Sequence, residues 1–255
     1  MQDAETQFWT VDRGDYRNEY FATIERARSE LGTEIAQVLS APEACALTQQ
    51  YLGSKPRILV MGQETYTNFQ PLGEVFECWA QQIGGTIAFD YGYSDVRRGS
   101  TTFWKAIDEV YDTFGGKSRR ALAWANICSV QRLKSFDGSY SINNVSDLFP
   151  DGGPTVRLKV VQWQASLVRA AVAYARPEAI MMLTGELSWM GKHTFAGYAE
   201  RPVSCDGGHF NVVTWEGCGI PVVQTSHPGA RGSKFASIRR SALKYLKAEM
   251  GSVAT

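Results

Sequence analysis

Apolar residues recur along the chain in two rhythms. Residues 15–40 carry them at helical spacing, and the pattern breaks near Gly32. Residues 102–114 predict an amphipathic helix that Gly115 and Gly116 stop, and residues 157–175 predict a long helix ending before Pro177. A last helix is expected over 235–247. There Phe235, Ile238, Ala242, Leu243 and Leu246 share one face, while Arg239, Arg240, Lys244 and Lys247 lie off it. Between these segments sit short apolar runs of strand length: 57–61 (RILVM), 121–125 (ALAWA), 179–183 (AIMML), 210–215 (FNVVTW) and 220–225 (IPVVQT). Such runs alternating with helices predict an α/β fold with a mainly parallel sheet of about four strands, covered by helices on both faces as a three-layer sandwich. One domain over 1–255 is expected, with 1–54 as a helical N-terminal extension packed on it.

Composition narrows the class. The 255 residues are 44% hydrophobic and 20% charged, the balance of a globular chain with a core of its own. No apolar run approaches the ~18 residues of a membrane helix. The opening MQDAETQFW is acidic and polar, unlike a secretory leader, so a cytoplasmic location is expected. The net charge is zero but polarised. Residues 1–60 hold nine acids and six bases, whereas residues 220–255 hold six bases and only Glu249 as an acid. Cys45, Cys78, Cys128, Cys205 and Cys218 form no C-x-x-C pair, so reduced thiols are expected rather than a disulfide framework or an iron–sulfur cluster.

In a parallel sheet, ligands sit beyond the carboxyl ends of the strands. The first run ends in Gly62-Gln63-Glu64-Thr65-Tyr66, the second in Asn126, the third in Thr184-Gly185-Glu186 and the last in Ser226-His227-Pro228-Gly229. A carboxylate, an amide, an imidazole and an aromatic ring would then converge on one rim. Other patterns carry less. Gly116-Lys117-Ser118 ends like a phosphate-binding loop, but Tyr111 stands where that loop needs glycine. Cys205, His209, Cys218 and His227 match no common zinc spacing, and no G-x-S-x-G nucleophile elbow occurs.

The order and content of these strand ends resemble the uracil-DNA glycosylase superfamily over roughly residues 57–240. The pieces are Gly62-Gln63-Glu64-Thr65-Tyr66-Thr67, Gly73-Glu74-Val75-Phe76, Asn126, Gly185 and His227-Pro228-Gly229-Ala230. The resemblance implies that Glu64 is the catalytic carboxylate, which stabilises an oxocarbenium-like sugar and deprotonates the attacking water. It implies that His227 donates a hydrogen bond to the base as negative charge builds there. Asn126 would read the base edge. Its amide suits the N3–O4 edge of uracil or, flipped, the N3–N4 edge of cytosine, and so does not by itself choose between them. Phe76 would stack on the flipped base, Tyr66 would wall the pocket beside its C5, and Gln63 would join the base-binding set. Pro228, Gly229, Arg231, Ser233 and Lys234 fall where the family meets DNA. Each residue also has a plainer reading: a solvated turn acid, a histidine held in a turn, a capping amide, a core ring, a solvated basic helix.

The departures suggest a different pocket. Glu64 replaces the family's Asp, Thr65 its Pro, and Gly229-Ala230 loosen the histidine loop. Residues 135–154 read as a long polar loop spotted with aromatics, of a kind usually functional, and with Trp124 and Trp189 would suit a carbohydrate. The expected activity is monofunctional base excision that leaves an abasic site, since Lys192 and Lys234 sit at no motif position for a lyase amine. The expected substrate is a bulky modified base such as glucosylated 5-hydroxymethylcytosine in phage DNA, as part of anti-phage defence. Uracil is the runner-up, and a non-catalytic module that binds a flipped base is the alternative of another class. Double-stranded DNA is the expected partner, with no membrane partner, metal or organic cofactor, and the protein is expected to act as a monomer.

Overall fold

In the computed structural model, the residues described are 14–33, 36, 39–64, 72, 102–114, 121–130, 132–136, 139–143, 153–185, 188–230 and 232–253. Of these, 14–15, 64, 132–136, 139–143, 153–157, 188 and 253 are described by backbone alone. The first helical rhythm forms α1 (Gly14–Leu31), and Gly32 at φ +79° ends it in the left-handed conformation that glycine reaches without strain. A short turn of helix, α2 (Gln49–Leu52), is capped by Thr48, whose hydroxyl accepts from Tyr51 N at 3.0 Å. Then follow β1 (Ile58–Glu64), α3 (Thr102–Thr113) and β2 (Leu122–Cys128). The second half runs β3 (Arg132–Phe136), β4 (Ser139–Asn143), α4 (Gly153–Ala175), β5 (Ala179–Met182) and α5 (Ser188–Thr194). It ends with β6 (Ala199–Cys205), β7 (Gly208–Thr214), β8 (Val222–Gln224) and α6 (Ser233–Val253).

The fold is α/β, built on a mixed sheet of six strands in the order β2-β1-β5-β8-β7-β6. Four contiguous strands, β2, β1, β5 and β8, pair in parallel. The β6–β7 hairpin then joins antiparallel to β8. This corrects the expectation of about four strands. The segment that became β6 carries no apolar run: Glu200, Arg201 and Pro202 stand in its middle. It lies at the sheet edge, where proline and charge are tolerated because one side of the strand needs no partner. A second correction concerns residues 135–154, read as one loop. The backbone there includes parts of the antiparallel β3–β4 hairpin, and α4 begins at Gly153.

Alternation along the strands gives the sheet two buried faces. Leu59 and Met61 of β1 point to one, with Ile180, Met182 and Val222, under α1 and α4. Ile58 and Val60 point to the other, with Met181 and Val223, under α3 and α6. On the first side Tyr16 of α1 stacks on Tyr174 of α4 at 4.7 Å between ring centroids. The same helix fixes the chain that follows it. Tyr20 donates to Pro42 O at 2.8 Å, and Cys45 N donates to the Tyr16 hydroxyl at 2.7 Å. Residues 39–48 are thereby tied into the core, and Glu43 N binds Ser129 O just past β2. Among the described residues no helix is long and apolar enough to cross a membrane.

Candidate functional site

The parallel strands bring their carboxyl ends to one edge, and backbone bonds fasten three of them. Leu183 N donates to Met61 O at 2.8 Å, Thr225 N to Met182 O at 2.9 Å and Gly185 N to Thr225 O at 3.0 Å. A buried amide reinforces the junction. Gln224 gives its Nε2 hydrogens to Thr184 Oγ1 and Gly185 O, and its Oε1 accepts from the Tyr198 hydroxyl at 2.7 Å. Every polar end of that side chain is therefore satisfied, which fixes the turn after β5.

β1 and β2 run on further than their apolar runs suggest. Gly62 pairs with Asn126 and Glu64 with Cys128, so Gly62-Gln63-Glu64 belongs to the strand and Asn126 lies inside β2 rather than beyond it. Gly62 is required for this. A Cβ there would fall on Asn126 Oδ1 and on the six-membered ring of Trp124. Trp124 is itself held edge-on by Phe103 of α3, at 5.0 Å between centroids. Asn126 is 6% exposed. Its Nδ2 donates to Glu43 Oε2, while its Oδ1 is buried with no hydrogen-bond partner. A buried carbonyl oxygen left unpaired costs about 1–3 kcal/mol, so it marks a place where a ligand or water would be welcome.

At the end of β8 the chain turns tightly through His227, whose O accepts from Ala230 N at 2.9 Å. Its Nδ1 accepts from Gly229 N at 3.0 Å. An imidazole nitrogen that accepts carries no proton, so the neutral ring bears its hydrogen on Nε2 and can donate from there. Burial pushes the His227 pKa below its ordinary value, and the guanidinium of Arg239 pushes it the same way. Both effects favour the neutral donor. Two glycines make room: a Cβ on Gly229 would lie 2.9 Å from Nδ1, and one on Gly185, at φ +59°, would lie 3.3 Å from the His227 Cβ.

The backbones of Gln63 and Glu64 in β1, and Asn126 and His227, stand on the carboxyl edge of the four parallel strands. β1 and β8 are separated by β5 alone, so their axes lie about 10 Å apart. The side chain of Glu64 lies outside the described residues, as do Tyr66, Phe76 and Arg231. Pro228 is buried and Gly229 exposed in the turn. Ser233 and Lys234 open helix α6, where the sequence reading has a loop; both are exposed, and the Lys234 ammonium sits 4.9 Å from the Phe235 ring. Trp124 and Trp189 are half-buried.

Two residues at this edge escape sequence reasoning. Arg239 was grouped with the exposed bases of α6, yet it is 7% exposed, with Nε 3.4 Å from Glu109 Oε2 of α3 and Nη1 buried without a partner. Glu43 belongs to none of the motifs in the sequence. Its signal was its isolation: it is the one charged residue between Glu34 and Lys55. Among the described residues no group of three or more His, Cys, Asp or Glu side chains could hold a metal ion. A scan against protein-family models returns no match to this chain, and neither does a comparison with curated protein sequences.

Proposed function

We propose that the protein is a DNA glycosylase of the uracil-DNA glycosylase type, with the three-layer architecture that reading implies. It turns a base out of the duplex and hydrolyses its N-glycosidic bond. The observation that carries this is the pairing, on one edge of the parallel strands, of a neutral histidine poised to donate from Nε2 and a buried amide oxygen awaiting a donor. A departing base anion needs such a donor at its developing charge, and a base edge needs such an acceptor to be read. In the chemical step the C1′–N bond breaks and the electron pair leaves with the base, while His227 Nε2–H stabilises the charge. A water oxygen bonds to C1′, and its proton passes to the Glu64 carboxylate. The product is an abasic site, with no amine-linked intermediate and no cofactor.

The substrate we propose is a bulky modified cytosine, most concretely glucosylated 5-hydroxymethylcytosine in phage DNA, attacked by a cytoplasmic monomer in anti-phage defence. The support is the replacement of Asp by Glu64 and of Pro by Thr65, together with the polar segment that follows β2. The exposed cations of the last helix (Lys234, Arg240, Lys244 and Lys247) supply positive charge for a phosphate backbone. The test is alkali treatment of glucosylated phage DNA, a uracil-containing duplex and an unmodified duplex after incubation with the protein. Strand breaks are expected in the glucosylated DNA. Breaks confined to the uracil duplex would transfer the function to base excision repair. Binding without breaks in any of the three would make the protein a flipped-base reader.

A further inference from the structure

Glu43 comes from the N-terminal part of the chain, in a run (39–48) whose other residues are all buried. Its N–H is docked on Ser129 O at 2.8 Å, which sets its side chain against β2. An ionised carboxylate only accepts, so the end of Asn126 that meets it must be the NH2 end, as observed. The amide is thereby fixed in one of its two orientations, with Oδ1 packed over Gly62 beside the Trp124 ring. Reversing the amide would set oxygen against oxygen at Glu43.

For a pyrimidine held in one pose, this orientation decides identity. An amino pyrimidine presents an acceptor at N3 and a donor at position 4, and a carbonyl pyrimidine presents the reverse. Each therefore needs the opposite orientation of a reading amide. Oδ1 is the buried amide atom left without a partner, and an exocyclic amino group, projecting beyond the ring, would supply the missing donor. We propose that Glu43 is a specificity-determining residue: its carboxylate locks the Asn126 amide so that the site accepts a base with an amino group at ring position 4 and rejects its carbonyl counterpart. This rests on the base-reading role given to Asn126 above. Glutamine at position 43 would undo the lock without changing shape, because its own amide can turn to suit either orientation of Asn126.

The experiment uses the full chain and two duplexes identical except at ring position 4: glucosylated 5-hydroxymethylcytosine against glucosylated 5-hydroxymethyluracil. Both carry a 2′-fluoroarabino sugar that resists cleavage, and dissociation constants are read by fluorescence anisotropy at one salt concentration. Wild type is expected to favour the amino base by about tenfold or more, and Glu43→Gln to bring the ratio within about threefold. Glu43→Asp, whose carboxylate stops one methylene short, serves as the second variant and loses the ratio as well. A wild-type ratio near one, a reversed ratio, a ratio retained in both variants, or no binding of either duplex by wild type overturns the proposal. Base release from the cleavable duplexes is scored separately. A kept ratio without release would defeat the glycosylase reading alone, and release without a ratio would defeat the Glu43 assignment alone.

Discussion

Replacing Gly62 by alanine adds one methyl group where the structure has no room for it. The new Cβ would coincide with Asn126 Oδ1 and press on the Trp124 ring, and Trp124 cannot retreat far because Phe103 lies 5.0 Å behind it. Asn126 must therefore give way. Overpacking of this kind costs about 1–3 kcal/mol. Displacing Asn126 also breaks its bond to the Glu43 carboxylate, a charged hydrogen bond contributing about 1.5–3 kcal/mol. Alanine returns about 0.5–1 kcal/mol through its stiffer unfolded chain. The net expectation is a loss of about 1.5–5.5 kcal/mol, read at about 2–4 °C in Tm per kcal/mol for a chain of this size. The assay is denaturant unfolding followed by tryptophan emission, with Gly251→Ala as the control. Gly251 lies exposed near the end of α6, and a Cβ there would meet nothing within 4 Å. The control should fall within about 0.5 kcal/mol of wild type. A Gly62→Ala protein as stable as that control, with unchanged emission, would show that Asn126 does not lie over Gly62 and would refute the packing argument.

Two further predictions concern titration. The His227 ring should protonate with a midpoint below 6.5, because burial and then Arg239 disfavour its charged form. A folded pKa below the unfolded one means that the unfolded chain binds the proton more readily. The stability tied to this ring is thus present above the unfolded pKa and falls as pH drops through 6.5 toward the folded value. Nitrogen-15 spectra should show the Nε2–H tautomer at pH 7.5, and a midpoint above 6.5 or an Nδ1–H tautomer would contradict the site geometry. Glu178 is held below its ordinary carboxylate pKa, first by the Arg57 N–H and then by Lys55 and Arg57, against the opposing effect of its burial. Its contribution is therefore present above the unfolded carboxylate value of about 4.5 and disappears as pH falls through the folded one. The stability difference between wild type and Glu178→Gln should accordingly shrink between pH 6 and pH 3, and a difference constant over that range would sink the assignment.

What the sequence could tell follows from where periodicity survives. α1, α3, α4 and α6 bury one stripe each, and β1, β2, β5 and β8 are buried on both faces, so their residues show as clean apolar rhythms and runs. Edge strand β6 lacks that signal, because all its residues are exposed or only partly buried and only Val203 and Cys205 pack on the core. β1 and β2 extend past their apolar runs because Gly62 and Asn126, turn formers by residue type, stand inside the strands. In the fold they stand side by side, the glycine lending its missing side chain to the asparagine. Arg239 looked like one more helix-surface base, and only the packing of α6 on α3 reveals its burial beside Glu109. Glu43 depends on tertiary geometry entirely: two tyrosines of α1 and the carbonyl of Ser129 bring it to β2. His227 and Asn126, by contrast, were legible from their places at strand ends, while their protonation and amide orientation required partners distant in sequence.

The central claim is that a carboxylate, an amide and an imidazole carried by the ends of three parallel strands sever a base from its sugar. Mass spectrometry of the small molecules freed from glucosylated phage DNA, uracil-containing duplex and unmodified duplex addresses that directly. Wild-type protein should liberate intact glucosylated 5-hydroxymethylcytosine, and Glu64→Gln should bind the same DNA yet liberate about a hundredfold less or lower still, as expected for loss of a general base. No free base from any of the three DNAs, or equal liberation by Glu64→Gln, would contradict it.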